Sequence, residues 1–233
     1  MTLYFKLLLF TIAFPLLASW DKRFNYFSKI KALFPAFLIT GTFFLIWDII
    51  FTKKGIWGFS TTHASNLRIL DMPIEEWLFF FIIPYSCLFI YESVKYFFRL
   101  KKYNSLSQKI LFVLGILLLI SGIYFNDRAY TFWNFIFCGS FLIISSYKKR
   151  DYHANFFVAY IFSLIPFCIV NGILTDGDFD YLYSTNPVVW YNNFENLSIR
   201  IITIPIEDFF YCMLLLLMNI TFYEKFRSKL SID

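Results

Sequence analysis

Long apolar blocks separated by short polar segments set the pattern of this chain. Blocks at roughly residues 3–19, 31–51, 73–94, 109–125, 131–147, 155–173 and 205–223 approach the length of about 20 residues that crosses a bilayer core. None of them alternates apolar with polar positions, so the pattern predicts helices rather than the strands of a barrel. In hydrocarbon every backbone N–H and C=O must be bonded inside the protein, and a helix does this within its own segment. The first block has the position of a secretory signal. It lacks a strongly basic start and a small-x-small cleavage site, so it reads as a span.

The blocks repeat. Arg68-Ile-Leu-Asp-Met-Pro73-Ile74-Glu75-Glu76 matches Arg200-Ile-Ile-Thr-Ile-Pro205-Ile206-Glu207-Asp208 position by position. Tyr91-Glu92 and Tyr223-Glu224 follow at the same distance after each proline. Upstream, Asp48 with Thr52 corresponds to Asn171 with Thr175. Ordered agreement of this kind marks an internal repeat. It divides the chain into a three-span unit at 1–98, a linker with the fourth span at 99–128, and a second three-span unit at 129–233. An odd linker makes the units parallel, related by a pseudo-twofold axis along the membrane normal. The expected fold is an all-α integral membrane protein with seven transmembrane helices, built as two parallel three-helix repeats joined by a linker helix.

Composition supports the membrane reading, with 59% hydrophobic and only 16% charged residues. The net charge of +5 is unevenly placed. Alternate loops carry Lys22, Arg23, Lys29 and Lys31, then Lys95, Arg99, Lys101, Lys102 and Lys109, then Lys148, Lys149 and Arg150, and the tail carries Lys225, Arg227 and Lys229. The other side has only Lys6, Lys53, Lys54, Arg68, Arg128 and Arg200. Positive residues face the cytoplasm, so the N-terminus is expected outside and the C-terminus inside an inner membrane. This placement explains the basic charge without nucleic acid. Cys87, Cys138, Cys168 and Cys212 sit apart in apolar blocks, and His63 and His153 have no partner at ligand spacing; neither disulfide nor metal is expected. Two long outer loops remain, about 52–72 and 174–204. The second is acidic and aromatic, with Asp176, Asp178, Asp180, Tyr181 and Tyr183. It begins like a calcium loop, but the twelfth position is Pro187 rather than glutamate, so it reads as a solvated acidic loop.

The chemistry gathers at the repeated motif. Pro73 and Pro205 suit a first helical turn, with Asp71 and Thr203 as caps. Glu75, Glu76, Glu207 and Asp208 then stand in first turns at the edge of the apolar zone, where ionisable groups tend to be functional. Neighbouring helical residues point about 100° apart, so one acid of each pair faces the bundle. Glu75 and Glu207, identical in both copies, are expected in the cavity, with Glu76 and Asp208 against a neighbour or against Arg68 and Arg200. Asp48 and Asn171 lie deep enough to face the same space. Glu92 and Glu224 lie about 28 Å further along the helix and should pair with lysine or arginine. Aromatics form 24% of the chain, and aromatic faces stabilise cations. With no nucleophile triad, metal cluster or phosphate loop in the sequence, this set points to acid–base chemistry on a hydrophobic substrate.

Several stretches together resemble the membrane lycopene cyclase domain family of bacteria, archaea and fungi. They are Trp47-Asp48 with Thr52, Pro73-Ile-Glu-Glu76, Val170-Asn171-Gly172-Ile-Leu-Thr175, Pro187-Val-Val-Trp190-Tyr191-Asn192, and Glu195-Asn-Leu leading to Pro205-Ile-Glu-Asp208. The likeness is to the fused form, in which two small halves share one chain. It implies cofactor-independent cyclisation of a linear carotene to β or ε rings. Glu75 and Glu207 match the motif glutamates as catalytic residues, with Glu76 and Asp208 as second acids. Asp48, Asn171, Arg68, Arg200, Trp47, Trp190 and Tyr191 support the substrate site. The implied partners are the carotene and the bilayer, with self-association and other carotenoid-pathway enzymes left open. A small-solute transporter with three-plus-one-plus-three topology and a related carotenoid hydratase are the alternatives. Polar pore-lining residues are sparse for the first. A retinal-binding photoreceptor would need a lysine between Pro205 and Tyr223, where none occurs.

Overall fold

Uninterrupted hydrogen bonding along the apolar blocks gives seven helices in the computed structural model, which describes residues 1–23, 25–176 and 186–231. They are α1 (Leu3–Ala18), α2 (Ile30–Lys53), α3 (Ile74–Phe97), α4 (Asn104–Tyr124), α5 (Ala129–Ser146), α6 (His153–Asp176) and α7 (Ile206–Lys229). Six of these, α2 to α7, are long and apolar enough to cross a membrane, and the protein is multi-pass. With 16 residues, α1 reaches only about 24 Å along its axis. Asp178, Asp180, Tyr181 and Tyr183 lie outside the described residues.

The core lies between α3 and α7. α1 and α6 pack on α3, while α2 and α5 pack on α7. α7 is buried all round through Cys212–Ile220, as expected for a helix apolar on every face. α4 lies outermost against α5. Gly115 and Gly139 bring these two backbones together: a β-carbon on Gly139 would stand 2.8 Å from the Gly115 carbonyl oxygen, and the reverse contact is also 2.8 Å. Small residues at such crossings permit the close packing that holds membrane helices together. Prolines inside helices are tolerated where the freed carbonyl finds another donor. Pro15 frees the Thr11 carbonyl, and Ser86 Oγ of α3 donates to it at 3.2 Å.

The expectation of an all-α chain needs correction at the end where α3 and α7 begin. Strand β1 (Trp57–Phe59) pairs antiparallel with β4 (Val189–Tyr191), setting Trp57 opposite Tyr191 and Gly58 opposite Trp190. The Trp190 indole lies so close over Gly58 that a β-carbon there would be 2.4 Å from it. Two hairpins follow with the same register: β2 (Arg68–Ile69) with β3 (Met72–Pro73), and β5 (Arg200–Ile201) with β6 (Ile204–Pro205). Their turns put Leu70, Asp71 and Ile202 at positive φ. Loop backbone that folds back over helix ends still needs partners, and short strands supply them.

The expected caps are also corrected. Asp71 is in the hairpin turn, and Thr203 Oγ1 contacts Thr175 Oγ1 at 2.7 Å and donates to the Gly172 carbonyl at 3.1 Å. Instead, Pro73 and Pro205 occupy the cap positions, and the amides of Ile74 and Ile206 donate to Leu67 and Ile199 carbonyls. At the far end Glu92 and Glu224 are paired as expected. Lys29 and Lys95 both reach Glu92, Lys95 reaches Glu224 at 2.6 Å, and Tyr91 donates to Glu224 at 2.5 Å.

Gly139→Ile should lower the thermal stability of the detergent-solubilised protein, by on the order of 1–3 kcal/mol for overpacking. Gly172→Ala, whose new methyl meets nothing within 4 Å, should not. Equal melting of both variants would contradict this account of the α4–α5 contact.

Candidate active site

The first turns of α3 and α7 each present two carboxyls in different directions. Glu75 and Glu207 turn inward, each toward the helix and loop of its own half. Thr2 Oγ1 donates to Glu75 at 2.6 Å, and the Ser65 amide donates at 3.1 Å. Thr131 Oγ1 donates to Glu207 at 2.6 Å, and the Leu197 amide donates at 2.8 Å. Both are almost completely buried. The expectation that this identical pair faces the shared cavity is therefore corrected: Glu75 and Glu207 tie a helix start and a loop to the motif.

Glu76 and Asp208, one position on, are the acids that line the cavity. They stand in a chamber of about 80 Å³ together with Asp48, Asn171 and Tyr191. Asp48 and Asn171 thus lie where the sequence puts them. Tyr4, Trp57, Tyr130 and Tyr211 add polar and aromatic groups to the lining. None of these four follows from the motif comparison. A signal was present for two of them, since a Thr and a Tyr stand near the start of both the first and the fifth apolar block.

The two sides of the chamber share a layout and differ in chemistry. On one side Tyr4 donates to Glu76 at 2.5 Å. Trp57 Nε1 donates to Asp48 Oδ1 at 2.5 Å. Asp48 and Glu76 line the same chamber, and Asp48 Oδ2 is buried there with no donor. Two carboxylates are acceptors only, so neither can satisfy the other unless one of them carries a proton. On the other side Asp208 receives three donors: Tyr130 OH at 2.5 Å, Asn171 Nδ2 at 2.7 Å and Tyr191 OH at 2.9 Å. All three are donors, so Asp208 meets them as an acceptor without needing a proton of its own. The difference arises at two matched positions, Glu76 against Asp208 and Asp48 against Asn171, and in the Tyr191 hydroxyl that reaches Asp208.

The walls are aromatic. Tyr130 stacks on Tyr191 with centroids 5.8 Å apart, and Trp57 meets Tyr130 edge-on at 5.0 Å. Trp47 lies behind this wall, packed on Tyr211 and Phe137, rather than in the chamber. Trp190 faces outward over Gly58 and is 41% exposed. Arg68 and Arg200 do not reach the acids as expected. Arg68 donates to the carbonyls of Asp71, Phe59 and Ser60, and Arg200 to the Thr203 carbonyl and Asn193. Arg200 also lies over the Tyr191 ring at 5.8 Å, which links it to the site through Tyr191. Among the described residues no cluster of three or more His, Cys, Asp or Glu side chains is arranged to hold a metal.

A family model described as Lycopene cyclase matches residues 1–94 and 127–226. No curated protein and no solved structure gives a significant match. Each matched segment contains one acidic helix mouth and the tyrosine that bonds it. The chain belongs to the lycopene cyclase family of membrane enzymes in carotenoid biosynthesis.

Proposed function

We propose that the protein cyclises the ends of a linear carotene by acid–base catalysis, with the Asp48–Glu76 pair as proton donor and Asp208 as base. The observation that carries this reading is the unequal supply of donors across one chamber. Two carboxyls, one with a buried oxygen that has no donor, face an acid that receives three donors. The donor gives its proton to the terminal double bond of the substrate. The resulting cation is attacked by the next double bond, which closes a six-membered ring and moves the positive charge into it. Asp208 removes a proton from a carbon beside that charge and leaves a ring double bond. One proton enters and one leaves, so the product is an isomer of the substrate. Trp57, Tyr130, Tyr191 and Tyr211 line the chamber, and aromatic rings around it stabilise the cation.

In this reading α1 also crosses the membrane, giving seven spans. The chain then divides as 1–98, 99–128 and 129–233, with the two three-helix units parallel. The common order of helices, the equal hairpin registers and the two matched family segments support it. The basic loops at the far end support an inner membrane with the chamber toward the outer face and the C-terminus in the cytoplasm.

Pigment chromatography after expression in a lycopene-accumulating host tests the reading. Glu76→Gln and Asp208→Asn should each reduce ring formation by about 10²–10⁴-fold, the usual contribution of general acid–base catalysis. Wild-type pigment from both variants would refute the assignment. Glu75→Gln should instead lower the melting temperature and the yield of folded protein, because it loosens Thr2 and Ser65.

Asp48→Asn makes the first side resemble the second by removing the acid that shares a proton with Glu76. It should lose at least tenfold in cyclisation rate at unchanged protein level. If Asp48→Asn cyclises at the wild-type rate, the paired proton plays no part.

A further inference from the structure

We propose that the apolar groove between α1, α3 and α6 holds the polyene stem of the substrate, which enters the chamber end first through this side alone. The proposal rests on the cyclase reading above and adds a binding site to it. The groove has a volume of about 640 Å³, eight times that of the chamber. Phe79, Ile83, Phe167, Asn171 and Cys212 line both cavities, so the groove opens into the chamber beside the acids. From Phe79 it follows α3 to Phe97, about 27 Å at 1.5 Å per residue, close to the thickness of a bilayer core. It therefore fits a long, slender hydrocarbon lying along the helices with one end at the carboxyls.

Two of its three serines are already satisfied, and Ser163 Oγ is buried without a partner. Ser86 Oγ donates to the Thr11 and Ile82 carbonyls, and Ser93 Oγ donates to the Phe89 carbonyl. No charged side chain lines it to anchor a headgroup, whereas the chamber supplies acids for an end group that reacts. The corresponding seam of the other half, between α5 and α2, is filled. Phe137 of α5 packs on Phe43 at 5.3 Å and on Trp47 at 5.1 Å. Tyr211 of α7 closes the same cluster against Phe44 at 4.8 Å and Trp47 at 5.2 Å. One seam is open and its counterpart is plugged by rings, so a substrate with two reactive ends must withdraw and reinsert to present the second.

Ser93→Trp and Ile90→Trp obstruct the groove far from the carboxyls, and Leu117→Trp on the lipid-facing side of α4 is the control. In a lycopene-accumulating host the two groove variants should make at least tenfold less cyclised pigment at equal folded protein, judged by melting temperature, while Leu117→Trp matches wild type. Binding is read separately in the Glu76→Gln background. Purified Glu76→Gln protein should retain lycopene, seen by its visible absorbance, and adding Ser93→Trp should remove it. Wild-type cyclisation and retained lycopene in the groove variants would overturn the groove and leave the proposed chemistry standing. Phospholipid, rather than lycopene, released on adding Ser93→Trp would also overturn it. Groove-dependent lycopene binding by a wild-type protein that forms no ring would support the groove and refute the cyclase reading instead.

Discussion

Two adjacent carboxyls at the mouth of a membrane helix must each find hydrogen-bond donors away from bulk water, and this constraint organises the molecule. Burying a charged or polar group without partners is costly, so the surrounding chain is arranged around these four side chains. Adjacent positions on a helix diverge by about 100°, and the members of each pair therefore meet different partners. Glu75 and Glu207 take donors from Thr2, Thr131 and the loop amides of Ser65 and Leu197, which fixes α1 and α5 against α3 and α7. Glu76 and Asp208 are turned toward each other's half, and the chamber forms between them. The strand pair β1–β4 and the two hairpins complete the enclosure by giving the loop backbone its own partners.

A repeated layout allows the two halves to diverge in chemistry without changing the frame. Tyr4 and Tyr130 make equivalent hydrogen bonds to Glu76 and Asp208. Beside them, Asp48 and Asn171 differ by a carboxyl against an amide. An amide donates without carrying a transferable proton, whereas a carboxyl donates only while it carries one. The same divergence applies to access. Phe137 fills one seam with edge-to-face rings, while the α1–α6 seam is an open apolar groove. In the proposed reaction these two differences separate donor from base and give the substrate a direction.

Much of this was legible before any coordinates. The apolar blocks correspond to helices, although α7 runs on to Lys229 because its last turns carry the ion pairs of Glu224 and Arg227. The repeated Arg-to-Pro spacing is now seen as a hairpin, with the arginine donating to the turn carbonyl in both copies. Its regularity reflects backbone geometry rather than a charge partner for the acids. Trp190 was singled out with Tyr191, but in a strand adjacent residues point to opposite faces. Tyr191 therefore reaches Asp208 and Trp190 covers Gly58.

By itself the sequence determined that the chain is a multi-pass membrane protein, where its helices lie, that an acidic motif occurs twice, and which family it belongs to. These are properties of local composition, periodicity and self-similarity, each contained within a short window. The tertiary structure decided which acid of each pair faces the chamber. That depends on the rotation of α3 and α7 about their axes, which is set by packing against α1, α2, α5 and α6 rather than by the order of residues in the motif. It also decided that Tyr4, Trp57, Tyr130 and Tyr211 meet the acids. The partnerships of Tyr4 with Glu76 and of Tyr130 with Asp208 cross more than seventy residues of chain, and only the folded bundle brings them within a hydrogen bond.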